Sequence, residues 1–185
     1  MPDILLTHGY FLFEDEKEQQ IMKPYAPLGL LYLSAYLKRE GFEVEVFDTT
    51  FSTKDALAAR LAATPGGVVG VYTNLMTRAN ALWVVEEAHR HGWTVVLGGP
   101  ESANYPEDYL SRGADVVVVG EGEVTMAELI PALRDRGKHR LHGVAGTVFI
   151  DEDGRSGRND EREKVKDIDS LPWPDREAID TARYV

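Results

Sequence analysis

Five times in its first 136 residues the chain alternates a short, β-branched apolar run with a longer amphipathic stretch. No other feature restricts the fold as much. Strands begin at residues 4, 43, 68, 94 and 116, and helices are expected over 28–40, 54–63, 78–91, 106–112 and 125–136. In the first of these helices Leu30, Leu31, Leu33, Tyr36 and Leu37 recur at helical spacing, and Gly41 closes it. Thr64-Pro65-Gly66-Gly67 breaks the second, Gly92 stops the third and Gly113 caps the short fourth. Repeated β-α units dictate parallel strands, right-handed crossovers and helices on both faces. The expected class is therefore α/β, a flavodoxin-like (Rossmann-like) doubly wound parallel five-stranded sheet. Its strand order would be 2-1-3-4-5, a fold-level inference that periodicity alone does not fix.

After Gly137 the rhythm changes. Residues 143–150 read as a strand and Asp151-Glu152-Asp153-Gly154 as a hairpin turn. Residues 155–169 are dense in charge and poor in apolar side chains, so they are expected to lie on the surface or to move. Leu171-Pro172-Trp173-Pro174 is extended and stiffened by proline. The division expected is an α/β domain over 1–142 and a small C-terminal β-hairpin and linker extension over 143–185. The second part would lead out of the domain.

With 43% hydrophobic residues, the chain can bury a sizeable core. It has no cysteine, which removes disulfides, thiolate zinc sites and cysteine-bound clusters from this stretch. A net charge of -11 argues against nucleic acid and anionic membranes as partners. No apolar run reaches bilayer length, and Met1-Pro2-Asp3 lacks the basic flank of a signal peptide. A cytoplasmic location is the expectation.

Open α/β sheets take ligands at the carboxyl ends of their strands. There, strand four runs into Gly98-Gly99-Pro100-Glu101, and strand five into Gly120-Glu121-Gly122-Glu123. Glycine at such tips lets backbone approach a bulky ligand closely. Tip three adds the small polar side chains of Thr73 and Asn74. Tip one adds His8 and the long loop through Tyr25, Ala26 and Pro27. Each of these has a plainer reading. A Gly-Gly is often only a turn, Thr73 suits a helix cap, His8 suits a partly buried polar residue, and Glu121 and Glu123 suit the first turn of a helix. The conjunction of two glycine tips with a polar third favours a ligand. Dinucleotide and P-loop motifs are missing, as are a catalytic triad, a carboxylate pair and trustworthy histidine spacing for a metal. No catalytic residue and no protein metal ligand is expected.

Four segments resemble, in order, the cobalamin (B12)-binding domain of the B12-dependent radical SAM family. They are the run from Pro24-Tyr25-Ala26-Pro27-Leu28-Gly29 through Leu37, then Gly98-Gly99-Pro100-Glu101, then Gly113-Ala114-Asp115 through Glu123, and finally Leu171-Pro172-Trp173-Pro174-Asp175-Arg176. The resemblance implies a corrinoid held against the carboxyl edge of the sheet, its lower face and nucleotide tail meeting the loops. The residues it implicates are Tyr25, Ala26, Leu28, Thr73, Asn74, Leu75, Gly98, Gly99, Pro100, Glu101, Gly120, Glu121 and Gly122.

Many cobalamin domains carry D-x-H-x-x-G, whose histidine ligates cobalt. Counting back from Gly29, Pro24 stands for that aspartate and Ala26 for that histidine. Cobalamin is thus expected without a histidine from that position. S-adenosylmethionine and a [4Fe-4S] cluster would belong to a radical SAM catalytic domain in cis, because this chain has no cysteine to hold a cluster. The function expected is that of a cobalamin-binding module, not catalytic alone, within a methyltransferase-type enzyme. A cofactor-free interaction or regulatory domain, or a nucleotide binder of the same topology, is the alternative.

Overall fold

The structure, a computed structural model, describes residues 2–14, 16–21 and 24–184. Met1, Val185, and Asp15 of the polar connection expected between the first strand and the first long helix lie outside the described residues. Strands β1 (Ile4–His8), β2 (Val44–Phe47), β3 (Gly67–Tyr72), β4 (Trp93–Gly98) and β5 (Val116–Val118) pair in parallel in the order β2-β1-β3-β4-β5. This is the expected doubly wound order.

Side chains alternate across the pleat and divide the core in two. On one face Ile4, Leu6, Val96, Val116 and Val118 pack against α2 (Leu28–Arg39) and α7 (Gly122–Arg136), through Leu30, Leu37, Met126 and Leu129. On the other, Leu5, Val69, Val71, Val95, Leu97 and Val117 meet α3 (Lys54–Ala63) and α4 (Arg78–Arg90), together with Tyr109 and Leu110 of the short helix α6 (Pro106–Ser111). Strands buried on both faces read as continuous apolar runs, which is why they stand out in the sequence. Full burial of a leucine such as Leu6 or Leu37 contributes about 1.5–3 kcal/mol.

The sheet has seven strands, not the expected five. Strand β6 (Thr147–Ile150) pairs antiparallel with β5, and β7 (Ser156–Arg158) with β6. The hairpin therefore extends the main sheet, because Phe149 is fully buried beside α7 and Val148 beside the opposite face. Two short helices were not legible in the sequence: α1 (Glu16–Ile21) and α5 (Pro100–Asn104). Pro100 occupies the first turn of α5, where its missing N–H costs nothing, and Gly99 precedes it at φ +103°.

The charged stretch 155–169 lies on the surface, one of the two outcomes expected for it, and the chain from there to Tyr184 is fastened to the domain. From β7 it returns across α7 and α2 to the far edge of the sheet, as a strap. Arg162 pairs with Glu128, Asp175 pairs with Lys38, and the Tyr184 hydroxyl donates to Asp48 beyond β2. No helix among the described residues is long and apolar enough to cross a membrane.

Candidate cobalamin site

In a parallel sheet all helices start at the carboxyl edge, so the N-termini of α2 and α7 and the tips of β1, β3, β4 and β5 converge there. Two adjoining cavities, of about 380 and about 280 Å³, lie between them and share Gly29, Leu30 and Tyr72. The outer cavity is lined by His8, Tyr25, Ala26, Leu28, Asn74 and Met76, among others. The inner one runs beneath α2 and α7 over Leu6, Gly70, Val96 and Gly98, and reaches Gly120, Glu121 and Gly122.

The glycines play distinct parts. A Cβ on Gly98 would meet nothing within 4 Å, and its φ is not in the left-handed region. No backbone reason requires glycine there; its missing side chain leaves the cavity open. Gly99 is the opposite case. A Cβ there would lie 2.3 Å from the Thr73 carbonyl, so this glycine makes the turn itself.

The polar groups are few. Asn74 and Thr77 cap one another: the Thr77 N–H donates to Asn74 Oδ1 at 2.9 Å, and the Asn74 N–H to Thr77 Oγ1 at 3.1 Å. His8 is buried, and its Nδ1 accepts from the Tyr10 N–H at 3.2 Å. The proton therefore sits on Nε2, which donates to Asp48 at 3.0 Å. Neither ring nitrogen presents a free lone pair. Burial alone would raise the Asp48 pKa, but hydrogen bonds from His8, Tyr184 and the Thr50 N–H outweigh it and hold the carboxyl at about 2. Among the described residues no group of three histidine, cysteine, aspartate or glutamate side chains could hold a metal.

Of the residues named from sequence, Tyr25, Ala26, Leu28 and Asn74 line the outer cavity, and Gly98, Gly99, Gly120, Glu121 and Gly122 the inner. Thr73, Leu75, Pro100 and Glu101 line neither. Thr73 is fully buried, its hydroxyl engaged with the Gly98 carbonyl at 2.9 Å and Ser102 Oγ at 2.8 Å. Glu101 is buried beside Arg78, at 3.4 Å. Pro100 and Leu75 are exposed. Sequence reasoning passed over Gly29, Leu33, Gly70, Tyr72 and Met126. Gly70 carried a signal, since a lone glycine inside a valine-rich strand often marks a close approach.

The arrangement is an apolar, glycine-floored hollow at the switch point between β1 and β3, with few polar groups in its lining. The model of the B12 binding domain matches residues 21–130, more than half of the chain. The chain belongs to the B12-binding domain family. A Pyrococcus horikoshii protein named as an uncharacterized methyltransferase is 29% identical over 167 residues, covering 85% of this chain and 35% of the relative. A second uncharacterized methyltransferase, from Synechocystis, is 29% identical over 112 residues, covering 60% of this chain and 20% of its own length. The chain thus spans about a third or less of these relatives.

Among solved structures, the fold is shared with the cobalamin-dependent S-adenosylmethionine radical enzyme OxsB. With aqua-cobalamin bound, OxsB matches at a TM-score of 0.76 and 22% identity, over 95% of this B12-binding chain and 24% of OxsB. Without ligand the TM-score is 0.73.

Proposed function

We propose that this chain is the cobalamin-holding module of a B12-dependent radical SAM enzyme of methyltransferase type. The carrying observation is the open floor at Gly98, where a side chain would fit sterically but would fill the hollow. The corrin ring system is broad, and its periphery carries amides. Glycine tips at Gly29, Gly98 and Gly122 admit its bulk, and the exposed apolar side chains Tyr25, Leu28 and Met76 stand around the mouth to be covered. The inner cavity, walled by Leu6, Leu33, Val96 and Met126, suits an aromatic base at the end of a nucleotide tail. When bound, the corrinoid would supply cobalt able to carry a methyl group. The chain's own residues would grip, orient and exclude water.

Two observations support cobalt held without a histidine beneath it. Pro24 and Ala26 occupy the positions of the aspartate and histidine in D-x-H-x-x-G. His8, the histidine on the cavity wall, has both nitrogens engaged. Tuning of the metal would then come from burial and surrounding contacts. S-adenosylmethionine and a [4Fe-4S] cluster belong to a radical SAM domain in cis; the cofactor domain comprises residues 1–142 together with the hairpin and strap of residues 143–184 that pack on it. Methyltransferase chemistry is supported by the names of the two relatives.

The test is the visible spectrum after incubation with hydroxocobalamin and removal of free cofactor. A retained corrin spectrum lacking the bands of a nitrogen-ligated lower face is expected. Colourless, folded protein would sink the reading and favour the interaction domain.

A further inference from the structure

We propose that residues 160–184 are a working part of the cofactor site: a strap whose seating is coupled to filling of the hollow. The inference rests on the cobalamin reading above and extends it to regulation of the same site.

The strap's fastenings fall on the elements that form the hollow. At its start, the Asp160 carbonyl accepts from the Gly146 N–H at 2.8 Å, and Arg162 Nε donates to Thr125 Oγ1 of α7 at 2.7 Å. The Val165 N–H then donates to Glu121 Oε2 at 2.7 Å, and Glu121 lines the inner cavity. Over α2, Asp175 Oδ2 accepts from Ser34 Oγ at 2.7 Å and from Lys38 Nζ at 2.6 Å, while its N–H donates to the Leu31 carbonyl at 3.0 Å. Leu30 and Leu33, beside these partners, wall the cavities.

At its end, the Tyr184 hydroxyl donates to Asp48 Oδ2 at 2.5 Å, while Asp48 Oδ1 accepts from His8 of the outer cavity. Burial and the Asp48 carboxylate both push the Tyr184 phenol up, so it stays a donor at neutral pH. Its ring meets Phe51 edge-on, with centroids 4.8 Å apart.

One segment therefore fixes a rim glutamate, the cavity-lining helix and a wall histidine at once. Tyr184 and Asp48 act through His8 as positioning residues. A ligand that prefers this geometry must also favour the seated strap, because coupling is reciprocal.

The test combines hydrogen exchange with binding, on the whole chain. With saturating hydroxocobalamin, the amides of Val165, Asp175 and Ala178 should exchange at least about fivefold more slowly than in free protein. Tyr184→Phe should weaken hydroxocobalamin affinity by a similar factor and erase the added protection at Ala178. Asp48→Asn should do the same by a different route, with the melting temperature of each free variant measured alongside. Retained cofactor with unchanged exchange across 160–184 would overturn the coupling alone. Failure of wild-type protein to retain cofactor would overturn the reading beneath it.

Discussion

Two adjacent glycines at the end of β4 separate use of the cavity from construction of the turn. Gly98 has room for a side chain and an ordinary backbone, whereas Gly99 has neither. Gly98→Leu should leave the melting temperature near the wild-type value and lower hydroxocobalamin retention by about tenfold or more, or ~1.4 kcal/mol. Gly99→Ala should instead destabilise the fold by about 1–3 kcal/mol, read by denaturant unfolding, because it forces a strained backbone into the Thr73 carbonyl. Both glycines are conspicuous in the sequence, but their difference is not. It depends on φ and on Thr73, which lies 26 residues away in sequence. Thr73 itself shows the converse: a hydroxyl at the right strand tip, spent on Gly98 and Ser102 within the fold.

At the level of elements, β-α alternation made the parallel strands legible because the inner ones, β1, β3, β4 and β5, are apolar through most of their length. The hairpin was legible as a hairpin but not as part of the sheet. Its pairing with β5 buries Phe149 against Leu129 and Ile130 of α7, a long-range contact that local patterning does not reveal. Phe149→Ala should cost about 3–5 kcal/mol in chemical denaturation, as for other large buried aromatics. A much smaller loss would mean the hairpin adds little to the core. The strap was illegible for a different reason. Its anchoring groups lie far in sequence from their partners: Arg162 meets Glu128, Asp175 meets Lys38 and the neutral Tyr184 hydroxyl meets Asp48, and composition shows none of these pairings.

Across the whole molecule, acid should release the strap before it unfolds the sheet. Burial alone would raise the pKa of both Asp48 and Asp175. Bonds from His8 and Tyr184 outweigh this at Asp48, and bonds from Lys38 and Ser34 outweigh it at Asp175, so both carboxyls lie below their ordinary range. A carboxylate whose pKa is depressed by folding stabilises the folded state above its unfolded value, near 3.9. That contribution fades as pH falls toward the folded value, about 2 for Asp48. Ring resonances of Tyr184, followed by NMR from pH 6 downward, should therefore shift below about pH 4. Asp48→Asn should flatten that titration. Seating unchanged down to pH 2 in wild type would show that these carboxylates do not hold the strap.

The hairpin has a bearing on self-association as well. Left bare, β5 would offer three consecutive valines and a row of open peptide groups to any passing strand, the usual invitation to edge-to-edge aggregation. Two antiparallel strands move that edge outward to Ser156-Gly157-Arg158, too short and too polar to template a neighbour. At the opposite edge, β2 carries Glu45, locked by Arg60 at 2.6 Å. A crowded solution of these molecules thus meets two blunted margins, and exposed apolar side chains such as Tyr25 and Met76 at the mouth of the hollow lie away from both.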